Sequence, residues 1–405
     1  MTAVVTGIGV VAPTGVGVEE HWSAVLSGET AIGPISRFDV SSYPVRLAGE
    51  VRDFTATGQV PNRLIPQTDH WTHMGLLAAE MALDDARIDP AELEEYELAV
   101  VTASSSGGTE FGQREIQKLW SKGPGHVGAY QSIAWFYAAS TGQISIRHGL
   151  RGPCGVIASE QAGGLDVMAQ ARRMLGNGSR MVVSGGTDAS LCPYGLTAQL
   201  STGLLSRDGD SRRAFRPFAA DACGYLPGEG GGKLVVEDAE HAAGRGAREP
   251  YGVIAGYAAT FDPPPGSDRP PTLRRAIENA LADAGVPAED VDVVFADAMG
   301  EPQADRQEAE AIAAVFGPRG VPVSVPKVLT GRMYAGGGAL DVITALLAIR
   351  DGVLPALPEE YEINPDYPID VVRGEHRRLP VRTALVLARG YGGFNAALVL
   401  RAWQP

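Results

Sequence analysis

Short apolar runs alternate with longer amphipathic stretches along most of the chain. Runs such as LAVVTA, RMVVSGG, VDVVFADA and RTALVLARG are rich in β-branched residues and predict buried strands. Stretches such as THMGLLAAEMALDDA and LRRAIENALADAG have the Ala- and Leu-rich spacing of helices. Strands that are apolar on both faces and separated by helices are typical of α/β proteins. The pattern therefore predicts an α/β fold.

A polar interruption divides this pattern into two parts. The segment from about His241 to Pro250, followed by DPPPGSDRPP, separates a longer N-terminal half, residues 1–249, from a shorter C-terminal half, residues 250–405. Each half closes with a Gly-rich turn that leads into an apolar strand, GYLPGEGGGKLVVED in the first and GYGGFNAALVLRAW in the second. This weak internal repeat predicts two halves of similar build.

Composition and charge limit the kinds of function. The chain has 405 residues, of which 44% are hydrophobic and 20% charged, so it can bury a large core. Its formal net charge of -14 opposes binding to nucleic acid or to anionic membrane surfaces. No apolar stretch approaches the ~18 residues of a membrane span, and the first basic residue is Arg37, so a signal peptide is not indicated. We expect a cytoplasmic protein that binds neither nucleic acid nor membranes.

The cysteines indicate neither a disulfide framework nor a metal site. Cys154, Cys192 and Cys223 are odd in number and lack the spacing of metal ligands. We expect reduced thiols that pack inside the protein as small apolar residues.

The segment GPCGVIASEQAGGLDVMAQARRML combines a strand, a polar turn and a helix. Gln161 lies at the junction between turn and helix, where unpaired backbone N–H groups and the helix dipole would stabilise a thiolate nucleophile. A glutamine amide has neither a nucleophilic atom nor a useful pKa. A reactive position is therefore predicted to hold an unreactive side chain.

This segment resembles the nucleophile elbow of the β-ketoacyl synthases. VVTGIGVVAPTG, ISIRHGLRGP, GYLPGEGG and GYGGFNAALVL resemble four further motifs of that family, in the family's order, so that the resemblance covers nearly the whole chain. It implies a thiolase-like fold, in which two βαβαβαββ halves form α-β-α-β-α layers.

The resemblance also implies that the reactive groups are missing. Active members carry a cysteine where this chain has Gln161, and two histidines at the positions of Asp297 and Arg332; Lys327 stands where the family has its lysine. Condensation by this chain alone is not expected. None of the histidines aligns with the two lost positions: His21, His70, His73, His126, His148, His241 and His376.

The replaced positions leave several interpretations open. Gln161 is either a plug of the former active site or an aid to decarboxylation. Asp297 and Arg332, with opposite charges, either form a buried ion pair or lie exposed to solvent. For Lys327 we expect a structural hydrogen bond rather than chemistry.

The EQAGG elbow, with the APTG and FADA variants, resembles the chain-length factors of type II aromatic polyketide synthases, also called ketosynthase beta subunits. The resemblance implies a heterodimer with a catalytic ketosynthase alpha subunit, formed through the region AYQSIAWFYAASTGQISI. It implies no cofactor of its own, since the acyl chains are carried on the phosphopantetheine of an acyl carrier protein. We expect the carrier to dock mainly on the partner.

The segment SSSGGTEFGQREIQKLW resembles the helix that closes the polyketide tunnel in this family. Thr109, Gly112 and Ile116 would share one face of such a helix and act as a chain-length gate. Because bulky aromatic side chains are absent there, we expect a decaketide or a longer product. The alternative is that these residues only permit close packing and the partner sets the length. Other aligned tunnel-lining positions are Ile133, Tyr194 and Leu196.

An autonomous enzyme is the competing hypothesis. Such an enzyme would be a decarboxylase with a glutamine elbow, as in loading modules, or a synthase that uses Cys154. A decarboxylase of that kind keeps both histidines to stabilise the carbanion, and this chain has neither.

Overall fold

The computed structural model describes residues 1–264 and 266–404. The strands are β1 (Ala3–Ala12), β2 (Gly15–Val16), β3 (Ile32–Pro34), β4 (Leu47–Gly49), β5 (Leu98–Ala103), β6 (Cys154–Ile157), β7 (Met181–Asp188), β8 (Gly230–Asp238), β9 (Gly252–Phe261), β10 (Val293–Phe295), β11 (Pro322–Ser324), β12 (Val353–Leu354), β13 (Asp370–Val371), β14 (Arg377–Arg378), β15 (Thr383–Gly390) and β16 (Phe394–Arg401).

The α-helices are α1 (Val18–Ser27), α2 (His70–Ala86), α3 (Thr109–Lys122), α4 (Gln131–Ala134), α5 (Ala139–His148), α6 (Gly163–Gly176), α7 (Pro193–Leu200), α8 (Ala239–Gly244), α9 (Leu273–Ala284), α10 (Pro302–Phe316) and α11 (Ala335–Asp351). Short 3-10 turns occur at Ile65–Gln67, Pro90–Glu92, Glu95–Glu97, Pro124–His126, Glu160–Ala162, Ala288–Asp290 and Pro326–Leu329. No helix in the part of the chain that the structure describes is long and apolar enough to cross a bilayer.

Two sets of five strands have the same order in space. The first set is β1-β8-β7-β5-β6 and the second is β9-β16-β15-β10-β11. In each set the first two pairings are antiparallel and the last two are parallel. Along the chain both sets follow the order βαβαβαββ, with α2, α3 and α6 in the first and α9, α10 and α11 in the second. The predicted thiolase-like fold is therefore confirmed.

The two sets meet at β1 and β9, which pair only at Val4 with Val253 and at Val5 with Gly252. This short junction joins the strands into a single 12-stranded sheet. The predicted boundary between residues 249 and 250 lies in the connection between α8 and β9 and stays a prediction.

Helices α6 and α11 form the central layer. They pack against each other, α11 contacts β7, β8 and β15, and α6 contacts β5, β7, β9 and β16. Helix α2 covers β1 and β8, and α9 covers β9 and β16. Every residue of α11 from Ala335 to Ala348 is buried, as expected for a helix with protein on all sides.

His21 connects the first helix to this central layer. Its Nδ1 lies 2.7 Å from the hydroxyl of Thr14, and its Nε2 lies 3.1 Å from the hydroxyl of Thr344 on α11. Burial lowers the pKa of His21 to about 4, so the imidazole is neutral at pH 7.

The expectation of packed thiols is correct for Cys192, which is buried, and wrong for Cys154 and Cys223, which are exposed. Cys154 begins β6, which among the described residues pairs only with β5 and therefore leaves one edge of the sheet open. Cys223 lies in a loop, 3.2 Å from the hydroxyl of Ser206. An edge strand and a loop do not bury their side chains on every side, which explains why both thiols are exposed.

The pKa of His21 predicts a specific pH dependence of stability. An ordinary histidine pKa of about 6.5 in the unfolded chain means that the unfolded state takes up the proton first as the pH falls. Stability from His21 is present above pH 6.5 and is lost as the pH falls toward 4. Between pH 8 and pH 5 the free energy of unfolding of the wild type should fall by about 2 kcal/mol more than that of His21→Gln. Urea unfolding at both pH values measures the difference.

The exposed His126 provides the matched control. We expect His126→Gln to follow the wild type at both pH values. Equal pH dependence of the wild type and His21→Gln would contradict the assignment of His21 as a buried neutral group.

Candidate functional site

The predicted strand, turn and helix around Gln161 are confirmed as β6, the turn Glu160–Ala162 and α6. Glu160 adopts a φ of +53°, a left-handed conformation that is rare for residues other than glycine. The turn is held by Asp166 in the first turn of α6, whose carboxylate accepts hydrogen bonds from Ser159 and, at 2.6 Å, from the hydroxyl of Tyr257. The sharp turn directs Gln161 into the interior.

The side chain of Gln161 is completely buried against the start of α11. A Cβ atom added to Gly337 would lie 2.8 Å from Gln161 Nε2, so a side chain at residue 337 would displace this amide. Within the described residues neither the oxygen nor the nitrogen of the amide has a hydrogen-bond partner. Polar contacts of the described chain therefore do not hold Gln161 in place. Leaving a buried polar group without a partner costs about 1–3 kcal/mol of stability.

Asp297 and Arg332 form a buried ion pair, as hypothesised. Arg332 Nη1 donates to Asp297 Oδ2 at 2.9 Å and Nη2 donates to Oδ1 at 3.2 Å, a bidentate geometry. Arg332 also donates to the backbone carbonyls of Asp297 at 3.0 Å and Arg389 at 2.8 Å. The side chains are 3% and 0% exposed, which excludes the solvent-exposed alternative.

The electrostatics of the pair exclude proton transfer. Burial raises the pKa of Asp297, but the charges of Arg332 and Lys327, together with the hydrogen bonds from Arg332 and from the N–H of Arg389, hold the pKa below its usual value. The neighbouring carboxylates hold the pKa of Arg332 above its usual value against the effect of burial. A permanent cation and a permanent anion neither accept nor deliver a proton near pH 7. Among the described residues, no histidine forms a hydrogen bond with either side chain.

Backbone contacts fix the pair in this position. The N–H of Arg389 on β15 donates to Asp297 Oδ1 at 2.9 Å. The carboxylate of Glu308 on α10 accepts the N–H groups of Asp297 and Ala298 at 2.7 and 2.8 Å. Strand β10, helix α10 and strand β15 of the C-terminal half therefore all position Asp297.

Lys327 contacts Asp341 on α11, with 2.7 Å between Nζ and Oδ2. The contact is a buried ion pair at hydrogen-bonding distance, in agreement with the structural role expected for Lys327. Burial raises the pKa of Asp341 to about 6 and Lys327 opposes the shift. The ion pair connects the turn Pro326–Leu329 to the central helix, which is a structural role.

A cavity of about 350 Å³ lies beside the elbow. Gln161, Asp297 and Arg332 do not line it. Its wall includes Glu160, whose carboxylate accepts the N–H of Tyr391 at 2.9 Å and whose pKa is raised by burial. The lining residues are Ser105, Tyr137, Ala158, Glu160, Thr202, Tyr225, Tyr334 and Tyr391. Tyrosines are therefore half of the residues that line the cavity beside the elbow.

Two buried carboxylates that the sequence analysis missed hold helix α3. Asp188, at the end of β7, accepts the N–H groups of Ser105 and Ser106 and, at 3.0 Å, the N–H of Ala335 at the start of α11. Asp69 accepts the N–H of Phe111 in the first turn of α3 at 2.6 Å, and burial raises the pKa of Asp69 to about 6. An aspartate directly before the helical pattern HWTHMGLL was a sequence signal for Asp69 as a helix cap.

The predicted gate helix is confirmed as α3, and its three gate positions follow one another along one face. Thr109 is partly buried and its hydroxyl donates to the carbonyl of Ser106. Gly112 is buried, and Ile116 is 47% exposed. The role of these residues as a gate stays a prediction.

The further tunnel-lining candidates differ in their positions. Ile133 and Tyr194 are 41% and 62% exposed, and the N–H of Tyr194 donates to the side chain of Gln113 on α3 at 2.7 Å. Leu196 is instead completely buried in the main hydrophobic core of this chain. Its side chain therefore lies behind the surface on which the other two are exposed.

Exposed apolar side chains concentrate on α3, α7 and the segment 129–146. These elements carry nine of the fourteen large hydrophobic side chains that are exposed in the described part of the chain. We call these nine side chains the apolar face. Its members are Ile116, Trp120, Tyr130, Ile133, Trp135, Phe136, Tyr137, Ile146 and Tyr194. Such a concentration is typical of a protein interface.

Family models match most of the chain. Residues 2–242 match the N-terminal domain of beta-ketoacyl synthase, and residues 251–359 match its C-terminal domain. The tetracenomycin polyketide synthase ketoacyl synthase beta subunit of Streptomyces glaucescens is 56% identical over 98% of each chain. The actinorhodin polyketide putative beta-ketoacyl synthase 2 of Streptomyces coelicolor is 54% identical over 100% of each chain.

Solved structures agree with this similarity. The ishigamide ketosynthase/chain length factor superimposes with a TM-score of 0.91 at 27% identity, covering 100% of this chain and 99% of the other. A type II PKS acyl-carrier protein in complex with its ketosynthase bound to the hexaketide superimposes with a TM-score of 0.88 at 26% identity, covering 99% of each chain.

The buried ion pair predicts a large and non-additive effect of mutation. Arg332→Met should lower the free energy of unfolding by about 3–5 kcal/mol, because it leaves Asp297 buried without its counter-charge. The double substitution Asp297→Asn with Arg332→Met should recover part of the loss, since the uncompensated charge is then removed. Denaturant unfolding of the wild type, each single variant and the double variant measures both effects.

The control is Arg274→Met, which breaks the exposed pair of Arg274 with Glu278 and should change stability by less than about 0.5 kcal/mol. A loss below about 1 kcal/mol for Arg332→Met would show that the pair does not contribute as described.

Proposed function

This chain belongs to the beta-ketoacyl synthase family, among the ketosynthase beta subunits of type II polyketide synthases, and we propose that it is a non-catalytic chain-length factor. In this role it pairs with a catalytic ketosynthase alpha subunit in the cytoplasm and shapes the tunnel in which that partner extends a poly-β-ketone. The observation that carries the proposal is the buried ion pair of Asp297 and Arg332. It occupies both positions at which the active members of the family carry histidines.

The absence of condensing activity follows from three replacements on a retained scaffold. The amide of Gln161 cannot attack a thioester. The guanidinium of Arg332 donates to the carboxylate of Asp297 and to two backbone carbonyls, and that carboxylate also accepts the N–H of Arg389, so neither group is free to stabilise an enolate. Lys327 contacts Asp341 rather than a substrate.

Pairing with another subunit is supported by the apolar face and by β6. An interface between obligate partners buries more than ~2,000 Å² and is more apolar than ordinary surface. The apolar face provides aromatic side chains of the kind that dominate such interfaces. The open edge of β6 lies in the same half of the chain and can add a strand from a partner.

A long product is supported by the side chains of α3. Thr109 and Ile116 lack the aromatic rings that the resemblance associates with shorter products. One helical turn advances about 5.4 Å, and a two-carbon unit extends a chain by roughly 2.5 Å, so one open gate admits about two further units. We propose a decaketide or a longer product, with Ile133 and Tyr194 as further tunnel contacts. Leu196 supports this surface from inside the core.

The substrate is proposed to arrive on the phosphopantetheine of an acyl carrier protein, without any other cofactor. The carrier is expected to be acidic, and a chain with a net charge of -14 repels it in general. We therefore propose that the carrier docks mainly on the partner subunit.

Decarboxylation assisted by Gln161 is the alternative function. The unpartnered amide of Gln161 favours it, because such a group could donate a hydrogen bond to a thioester carbonyl. The complete burial of Gln161 and the lost histidines favour the plug instead. Release of CO₂ from malonyl carrier protein by the isolated chain, at a rate reduced by Gln161→Ala, would support the alternative.

Polar substitutions on the apolar face should weaken assembly. We expect Trp120→Glu and Ile146→Glu to raise the dissociation constant of the heterodimer at least tenfold, because each would bury a charge in an apolar interface. These side chains are 83% and 71% exposed in the single chain, so folding should be unaffected. Calorimetry or analytical ultracentrifugation with a co-expressed ketosynthase alpha subunit measures the affinity.

The control is Phe261→Glu, an exposed aromatic position on β9 in the other half of the chain. It should leave the affinity unchanged. A stable isolated monomer without affinity for any ketosynthase alpha subunit would refute the proposed pairing.

Filling the gate should shorten the product. In the reconstituted heterodimer we expect Thr109→Phe with Ile116→Phe to shift the dominant polyketide to fewer two-carbon units, because both rings occupy the same face of α3. Mass spectrometry of the products measures the length. If this double variant is fully active and its product has the wild-type length, the gate assignment is wrong.

A further inference from the structure

Three glycines before and within α3 form a seat for Trp135. A Cβ atom on Gly108 would lie 1.9 Å from the carbonyl oxygen of Ala134, and one on Gly107 would lie 2.9 Å from that of Trp135. The N–H of Gly108 donates to the carbonyl of Trp135 at 3.1 Å. The backbone at the end of α4 is therefore fixed against the start of α3, and any side chain at Gly108 would displace it.

The indole of Trp135 lies over Gly112. A Cβ atom on Gly112 would be 2.7 Å from Cδ1, 3.2 Å from Nε1 and 3.5 Å from Cγ of the ring. The space that the missing side chain leaves is thus already filled by an aromatic ring from the same chain. The sequence analysis did not foresee this neighbour of Gly112, and the role of Gly112 in a gate stays a prediction.

The side chain of Trp135 is partly packed on α3 and partly exposed to solvent. Its side chain is 53% exposed, and the exposed part belongs to the apolar face together with Ile116 and Ile133. The indole of Trp135, the residue that follows α4, therefore lies over Gly112, between Thr109 and Ile116 on the same face of α3. The distance between this ring and the backbone of α3 depends on the absence of a Cβ atom at residue 112.

We infer that Trp135 is the side chain that limits product length at this position, and that Gly112 acts by letting the indole recede onto α3. This inference rests on the proposed function, because it concerns the tunnel of the heterodimer. Ordinary contact between carbon atoms is about 3.5–4.0 Å. A Cβ atom at residue 112 would therefore push the ring outward by about 1 Å, toward the partner.

The inference separates two explanations of the gate. If residue 112 acted through its own side chain, its substitution would change product length whatever stood at residue 135. If it acts through Trp135, its effect depends on the indole, and removal of the indole alone should lengthen the product.

The test is a double-mutant cycle in the reconstituted heterodimer, with product length read by mass spectrometry and assembly by co-elution. We expect Trp135→Leu to lengthen the dominant product by at least one two-carbon unit. Gly112→Ala should increase the share of shorter products in the wild-type background, because a shift of about 1 Å is less than one two-carbon unit, and should have no effect in the Trp135→Leu background. Trp135→Phe should be intermediate, and the neighbouring Phe136→Leu, which also removes an exposed ring, should keep the wild-type length.

Three outcomes overturn the inference. An active Trp135→Leu heterodimer with the wild-type product length is one, and an equal effect of Gly112→Ala in both backgrounds is another. The third is loss of assembly in both Trp135→Leu and Trp135→Phe while Gly112→Ala leaves product length unchanged, which would make Trp135 an assembly contact only. A wild-type chain that forms no active heterodimer would instead refute the proposed function.

Discussion

The close approach of α6 and α11 is the constraint on which the rest of the structure depends. One helix comes from each half of the chain, and a Cβ atom on Gly164 of α6 would lie only 2.4 Å from the backbone nitrogen of Ala339 on α11. Glycine permits a contact of this kind because no side chain separates the backbones. The same crossing buries Gln161 against Gly337 and brings the elbow of the N-terminal half to the charged residues of the C-terminal half.

Loss of the reactive groups has not left an empty polar site. A buried arginine without partners would be very unfavourable, but Arg332 has a bidentate carboxylate and two carbonyl acceptors. Its guanidinium carbon also lies 5.7 Å from the centre of the Tyr225 ring. Three elements of the C-terminal half are bound together at this point, so the ion pair connects structural elements.

Much of the fold and of the former active site was predictable from sequence, because both depend on local patterns. Period and composition predicted the strands and the turn before the helix at Gln161. The ion pair of Asp297 and Arg332 was one of two interpretations that rested on the family resemblance and on their opposite charges. Burial was less predictable, since it depends on where a strand lies in the sheet: Cys154 is apolar in context but begins an edge strand. The indole of Trp135 above Gly112 was not predictable at all, because 23 residues separate them and only the packing of α4 on α3 brings them together. The burial of Leu196 was not predictable for a similar reason, since the sequence does not tell which side of α7 faces the core.

The unpaired edge of β6 also constrains the synthesis of this protein. A free strand edge beside exposed aromatic rings is a template for non-native pairing and aggregation. Chains that are synthesised in excess over a binding partner would meet one another first, and the rate of their aggregation would rise with their concentration. Production of this chain in balance with a binding partner would therefore limit the time during which the edge and the rings are uncovered.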